Sequence, residues 1–480
     1  KAPPDNQNAA PLYLDALFEF DPGLYICYCP SGENLKEETK RRVEAASQRS
    51  QEHWRLDRAW EKEPESVDTA AVDAWLMQYD VGFQKLAAAQ QRPRCMFQTD
   101  LSCNPHLVHT AAAREVAQVV EWRTRRSIQQ GNFQRPIQDL QTVLRLSRDL
   151  RPRGDGYSQT ASIVLDRMCC RQMVPAILTA PGVQIRHCDR LLALLAEHET
   201  KALDLFLETY RAAYFIDRQT LHDLQHRTGT FDPHSMKDKL DKLRVRGDVN
   251  SWVTCIKFLD ALHGIGPIAK DKLKALASGS PSPGTPDELE HPLLQSAWTG
   301  GKMLSDDEYV KEVNVLNRVY ALILELAARP NRPRPDDFRK ALAPLSESVR
   351  ETTLLVFLVY MPHGGLLDAL DEILRAETTL RGTQCLVALR RWQLEHEALP
   401  KDLDTLVKAA GMPRVPIDPF SGQPLRMTVI ERKPVIYSVG PDGKDDKAIL
   451  ESKGGNQPGD LIFRLESSSD QRKPGGPRRA

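Results

Sequence analysis

The stretch CLVALRRWQLEHEALPKDLDTLVKAAGMPRVPIDPFSGQPLRMTVIERKPVIYSVGPDGKDDK, Cys385 to Lys447, decides how this chain is read, together with the closing run GDLIFRL at Gly459 to Leu465. Its first part is an amphipathic helix that ends at Leu399-Pro400, since proline lacks an amide donor and clashes with the turn before it. Asp402 to Val407 predicts a short turn of helix opened by a capping aspartate. Asp418-Pro419-Phe420 and Gly422 predict a tight turn, and two candidate strands and an Asp-Gly loop follow. The stretch therefore predicts a small α+β module near the C-terminus.

Outward from it, the totals bound the rest. At 480 residues the chain is too long for one ordinary core, so two or three domains are expected. A hydrophobic fraction of 41% and a charged fraction of 27% belong to a soluble globular protein. Lys+Arg and Asp+Glu are both 65, so the formal net charge is zero. That excludes a dedicated nucleic-acid binder, whose affinity needs a basic excess. The longest dense apolar run, Leu354–Met361, is far too short to span a bilayer. Two alternatives stand for the N-terminus: a soluble chain, or a signal or anchor that preceded Lys1 and has been removed.

Nine cysteines leave at least one unpaired in a monomer. Cys95 and Cys103 are spaced for a local staple, whereas Cys27/Cys29 and Cys169/Cys170 are too close for an easy bridge within each pair. The absence of any Cys-x-x-Cys weighs against a thiolate zinc site. A few envelope disulfides, with the remaining cysteines buried as small apolar residues, is the expectation.

The N-terminal three-quarters reads as helices broken by proline. Asn8 caps a first helix with Leu12, Ala16 and Leu17 on one face. Two polar helices, about Leu35–Trp60 and Val67–Gln90, carry Trp54, Trp60 and Trp75 as packing residues. Leu107 to Leu150 reads as a helical hairpin turning at Gly131-Asn132, with Ile137, Leu140, Leu144 and Ser147 on one stripe. Further helices are expected at Ser158–Leu178, Val183–His198, Leu203–Gln225, around Val313–Ile323, at Ala343–Val359 and at Leu366–Glu397. In the third of these, Leu203, Phe206, Tyr210 and Ala213 form the apolar stripe. The expected fold class is mainly α, an irregular array of helical hairpins, with the small C-terminal α+β module. Its domains are 1–380 (with a subdivision open near 278–292), 381–466, and a flexible basic tail at 467–480.

The module resembles the C-terminal globular part of the major pseudopilin of type II secretion systems. The residues that carry the likeness are Leu399-Pro400, the run Asp418 to Pro424 (DPFSGQP), the run Ser438 to Gly443 (SVGPDG) and Asp460-Leu461-Ile462. With its Asn8-Ala9-Ala10-x-x-Tyr13 opening, its proline-broken helices and this C-terminal module, the chain over nearly its whole length resembles a group of planctomycete-type envelope proteins, which implies an envelope or periplasmic setting and supplies no reaction. The pseudopilin likeness implies calcium in the last loop, held by Asp442 and Asp460 with carbonyl oxygens near Ser438, and Asp445 and Asp446 as weaker ligands. Calcium takes several hard oxygen ligands, and these four aspartates crowd one loop. Lys447-Ala448 stands where the relatives carry small glycines, and Lys444 and Lys447 offer an alternative neutralisation. A plain Asp-Gly turn is the competing reading. The long apolar helix that builds a pseudopilus fibre is absent from the chain.

Catalytic motifs are scarce. His222 and His226, four residues apart, fall on one helix face and are the nearest thing to a zinc pair, with Asp223 where a zinc protease has glutamate and Asp232 or His234 as a third ligand. A solvated helix end is the simpler reading. His106 and His109 cap or pack, His187-Cys188-Asp189 point apart on a helix, and Ser421 has no G-x-S-x-G frame. His263-Gly264-Ile265-Gly266-Pro267 lacks the third glycine of a dinucleotide loop. The expectation is a non-catalytic envelope interaction or scaffold protein with protein partners. The alternatives are a metal-dependent hydrolase using His222/His226, and a calcium-stabilised secretion component.

Overall fold

Asn8 starts the first element by two routes at once. Its Oδ1 accepts the Ala10 amide at 3.2 Å and the Met96 amide at 2.9 Å, while its Nδ2 donates to the Met96 carbonyl at 3.1 Å. One side chain thus orients helix α1 (Ala10–Phe20) and ties it to a segment 88 residues away. In this computed structural model the described residues are 4, 6–21, 37–63, 67–97, 108–152, 156–226, 306–328, 335–345, 366–448 and 459–465. The proline-studded segment near 278–292, most of the expected helix at 343–359, the loop at 263–267 and the tail at 467–480 lie outside them.

Helices make up 71% of the described residues, and the strands form a three-stranded antiparallel sheet near the C-terminus. Among the described residues no helix is long and apolar enough to cross a membrane. The chain divides into two compact units, one of residues 1–98, 106–208 and 371–480, the other of 99–105 and 209–370.

The first unit has one hydrophobic core, and both ends of the chain contribute to it. Helix α2 (Glu37–Lys62) buries His53 and Leu56, with Trp60 on the same face against Trp122 at 5.6 Å. Trp54, expected to pack, falls off that face and is 65% exposed under Arg58. The second polar helix is two helices, α3 (Thr69–Met77) and α4 (Asp80–Ala89). Asp68 caps α3 through the Ala70 and Ala71 amides. The break comes at Tyr79, whose buried ring stacks on Phe20 and meets Trp75 edge-on. Holding that ring between two elements outweighs helix continuity.

Helices α5 (Val108–Gln129) and α6 (Gln134–Leu150) form the expected hairpin, turning at Gly131-Asn132. Ala113, Val116 and Val120 face Ile137, Leu140 and Leu144 in the core. The next rod is α7 (Gly156–Met168), a π turn at Cys169–Met173, and α8 (Val174–Thr179). Pro175 cannot donate to a regular ladder, and a wider turn just before it relieves that conflict. Helix α9 (Ile185–Lys201) opens with a capping box in which the His187 ring accepts the Gln184 amide at 3.1 Å.

In the second unit, α10 (Leu205–His226) from residue 209 onward, α11 (Asp306–Ala327) and α12 (Pro335–Leu342) carry the described structure; the first four residues of α10 fall in the first unit. Phe206, Tyr210 and Ala213 are buried as expected, but Leu203 precedes the helix and is 45% exposed. Tyr320 donates to Asp217 at 2.6 Å inside this unit. Burial pushes the Asp217 carboxyl up to about 7, with the Tyr320 bond opposing it.

Helix α13 (Leu366–Glu395) is the longest described element. From Cys385 to Leu389 every side chain is buried, so the helix is enclosed on all sides there. Its arginines stitch it to its neighbours. Arg381 and Gln384 reach Glu199 of α9, both at 2.9 Å, and Arg391 reaches Asp189 at 2.8 Å. The same two arginines donate to the carbonyls of Ile417 and Ala409. The corner at Leu399-Pro400 is closed by the Trp392 indole on the Ala398 carbonyl at 2.7 Å. Asp402 then caps α14 (Leu403–Ala409) through the Thr405 amide at 2.7 Å.

Strands β1 (Arg426–Ile430), β2 (Lys433–Ser438) and β3 (Leu461–Phe463) follow in the order β1-β2-β3. Ile430 pairs with Lys433, so Glu431 and Arg432 alone make the hairpin turn, both at positive φ as a type I′ connection demands. Ile436 and Phe463, which pair across β2 and β3, bury into the shared core. Val435, Tyr437 and Ala448 make a small cluster of their own.

All five described cysteines, Cys95, Cys169, Cys170, Cys188 and Cys385, are free and buried. Cys95 is therefore a free thiol here, and Cys103, its expected partner, lies outside the described residues. Burial pushes the Cys170 and Cys385 thiols up to about 12 and Cys188 to about 11.

Gly382 of α13 lies directly under the Phe463 ring, and a β-carbon there would overlap it. Gly382→Ala is expected to lower unfolding stability by about 2 kcal/mol through overpacking, read by urea denaturation of the whole chain. An unchanged midpoint would mean that β3 does not rest on α13.

Candidate functional site

The turn at Asp418-Pro419-Phe420 is built around one buried carboxylate. Asp418 Oδ1 accepts the Phe420 amide at 3.0 Å and the Ser438 hydroxyl at 2.8 Å. Its Oδ2 accepts the Ser421 hydroxyl and the Val439 amide, both at 3.1 Å. Asp418 thus locks the strand entry to the end of β2, and Ser421 serves that lock. Sequence reading saw the turn but not the distant half of the bonding, because Ser438 and Val439 lie 20 and 21 residues on.

The aspartates of the last loop are engaged one by one. Asp442 Oδ1 accepts the Lys444 amide at 3.0 Å, and Asp445 Oδ1 accepts the Lys447 amide at 3.1 Å. The cation beside Asp445 is Arg426 of β1, not one of the loop lysines. Asp460 is buried and accepts the Ala448 amide at 2.6 Å and the Asp446 amide at 3.4 Å. Burial raises the Asp460 carboxyl, and those amide bonds pull the other way. Gly440, at φ +66, brings the loop against the Gly459 carbonyl with no room for a β-carbon. Lys447 and Ala448 both adopt the left-handed conformation that glycine favours. Among the described residues no three His, Cys, Asp or Glu side chains converge as metal ligands.

His222 is exposed on α10. The His226 side chain, Asp223, Asp232 and His234 lie outside the described side chains, so the zinc pair is not assembled from described atoms. His109 stacks on Phe97 at 4.5 Å and lies 3.3 Å from the Ser158 hydroxyl, and burial pushes it down to about 4. His187 stacks on Phe133, Cys188 turns inward and Asp189 goes to Arg391, so the triplet diverges as expected.

Two polar clusters escaped the sequence reading. In the first, Asp166 of α7 accepts the Ser147 hydroxyl at 2.6 Å and an Arg151 N–H at 2.5 Å, and His198 Nε2 lies 3.1 Å away. Burial alone raises the Asp166 carboxyl, but His198 and Arg151 outweigh it and hold it down to about 2. The residue types are those of a hydrolytic triad, yet the order is wrong. The carboxylate takes the serine proton bond itself, whereas a relay needs the imidazole between hydroxyl and acid. Ser147 and His198 have no exposed surface, so a substrate has no access. The cluster is a clamp joining α6, α7 and α9. A polar serine in an otherwise apolar stripe was its one sequence signal.

In the second, His53 stacks on Trp75 at 5.2 Å with Asp57 at 3.6 Å and Glu115 at 3.9 Å. Burial, reinforced by the Asp21 and Asp57 charges, pushes the Glu115 carboxyl up to about 7, against Arg49 and Arg114. Burial pushes His53 down. Helices α9 and α13 and the 410–417 segment enclose a groove of about 530 Å³, whose floor includes Leu192, Ala196 and Met412.

A carboxyl raised in the folded state favours the protonated protein. Its contribution is complete below the unfolded carboxyl pKa, near 4, and is lost as pH rises through about 7. Glu115→Gln is therefore expected to flatten the fall in melting temperature between pH 5 and pH 8; an unaltered slope would reject the assignment. Compared with family models, with curated proteins and with solved structures, the chain matches none.

Proposed function

We propose that the chain is a non-catalytic interaction or scaffold protein of the cell envelope, built to hold another protein. The observation that carries this reading is strand β1. It stands at an edge of the sheet, and its last two residues, Val429 and Ile430, are 54% and 38% exposed. An edge strand offers a row of backbone donors and acceptors to an extended segment of a partner, with alternate side chains for selectivity. The Ser147–Asp166–His198 clamp is sealed within packing, which suits the same reading. The envelope setting rests on the resemblances of the sequence. A photo-crosslinking residue at position 429 is expected to give one discrete protein adduct in envelope fractions of the source cells, and Ile430→Lys should abolish it without changing the melting temperature. No adduct, or recovery of the chain outside the envelope fraction, would refute the reading.

A second reading, a calcium-stabilised pseudopilin-related secretion component, is favoured by one specific observation. Helix, proline corner, capped turn, Asp-Pro turn, hairpin, Asp-Gly loop and closing strand follow one another in the order of that resemblance. Calcium there would need oxygens beyond the described carboxylates, such as the carbonyls near Ser438. In that case chelator lowers the melting temperature and Asp442→Ala removes the response. An unchanged melting curve removes calcium and leaves the scaffold reading intact.

A further inference from the structure

The outer edge of β1, which no strand covers among the described residues, offers its backbone groups at fixed places. Ile430 and Lys433 flank a two-residue turn and so bond to each other through both amide and carbonyl. Bonding direction then alternates back along the strand. Arg426, Thr428 and Ile430 face β2, while Met427 and Val429 turn their amides and carbonyls to the open edge. Two observations agree with this phase. Val429 stands opposite Pro434, which has no amide to give. The Leu425 amide, the next one outward, goes to the Pro416 carbonyl at 2.9 Å. The open edge is therefore bounded, by Pro416 beside Leu425 at one end and by the Glu431-Arg432 turn at the other.

That bounded edge fits its own sequence. An added strand must set outward groups against outward groups, and two identical antiparallel strands do so only about a two-fold axis at a residue. An axis at Arg426 or Met427 calls on the Leu425 amide, which Pro416 has taken. An axis at Val429 or Ile430 calls on Glu431, which lies left-handed in the turn and is not extended. An axis at Thr428 calls on neither. It pairs Met427 with Val429 of the second copy, and Val429 with its Met427, and uses the whole open edge. In that register Val429 covers the half-buried Met427, and Ile430 lies along the stem of Arg426. Both exposed apolar side chains of the strand are then covered, and no charge opposes its like. The copy's chain turns away at Glu431, beside the place where Pro416 stands; a longer straight strand would run into Pro416.

We propose, resting on the reading of β1 as the contact edge, that its partner is a second copy of this chain. The two β1 strands run antiparallel about a two-fold axis at Thr428 and join the two small sheets into one.

Light scattering by the purified full chain across a concentration series tests it, together with two variants. A concentration-dependent doubling of mass is expected. Val429→Pro removes an amide that β2 does not use, so it should weaken the doubling at least tenfold and keep the melting temperature. Thr428 meets Thr428 of the second copy as a non-hydrogen-bonded pair, close enough for a disulfide. Thr428→Cys should therefore give a covalent dimer under mild oxidation, with the link mapped to position 428 by peptide mass to separate it from the native cysteines. That link decides alone if Val429→Pro folds poorly. A single-chain mass at every concentration, a doubling that folded Val429→Pro leaves intact, or no link at position 428 overturns the proposal. A single-chain mass with a photo-adduct from position 429 to a different protein overturns self-pairing and leaves the edge reading standing. Absence of both doubling and adduct removes the two together.

Discussion

The close contact of Gly382 with Phe463 is the constraint on which the first unit depends. It sets a helix enclosed by side chains around its whole circumference, with the N-terminal helices on one flank and the C-terminal sheet on another. From Gly382 to Leu389 that helix has no solvated face on which to spend polar residues. Its threonines therefore turn back on their own helix, Thr378 to the Leu374 carbonyl and Thr383 to that of Thr379. Its arginines emerge only where a carboxylate, a carbonyl or a cavity receives them. The sheet is too small to be stable alone, since three short strands need a packed face to persist. It gains that face from α13, and Ile436 and Phe463 enter the same core as Leu140 and Leu191.

Buried polar groups supply what apolar packing cannot, a unique register. Asp166 receives groups from two other helices, and Asp418 ties the turn before β1 to the residues after β2. Each is an ionisable group taken out of water, so each is favourable only with its full set of donors in place. Slippage of α6 against α7, or of the hairpin by one residue, would strand a carboxylate. That is a stronger selection among packings than leucine contacts alone provide, because many leucine packings differ little in energy.

Local signals were legible in the sequence, and long-range ones were not. The hairpin at α5–α6 was readable because Gly131-Asn132 interrupts two clean apolar periodicities. The Asp402 cap and the corner at Pro400 were readable because each acts within a few residues. Trp54 was misread as packing because residue type was weighed above phase: it sits one position past His53 and so leaves the buried face. Leu203 was drawn into a stripe that begins only after the Asp204 cap, whose side chain accepts the Phe206 amide. The break at Tyr79 depends on a ring contact with Phe20, 59 positions earlier, and no window of local periodicity contains it. The same holds for both polar clusters, whose members come from two or three helices each. The edge strand was readable as a strand, but its position at the edge emerged only from pairing.

The five enclosed thiols have a consequence for the life of the chain outside a reducing compartment. While folded, all five are buried and protonated, so a solvent-borne oxidant does not reach these five. Opening the core releases all five together, two of them neighbours in sequence. Exchange among them would then tie the opened chain into pairings that the native packing does not contain. In an oxidising setting durability would thus be governed by how seldom the core opens, a rate, and not by the depth of the folded minimum.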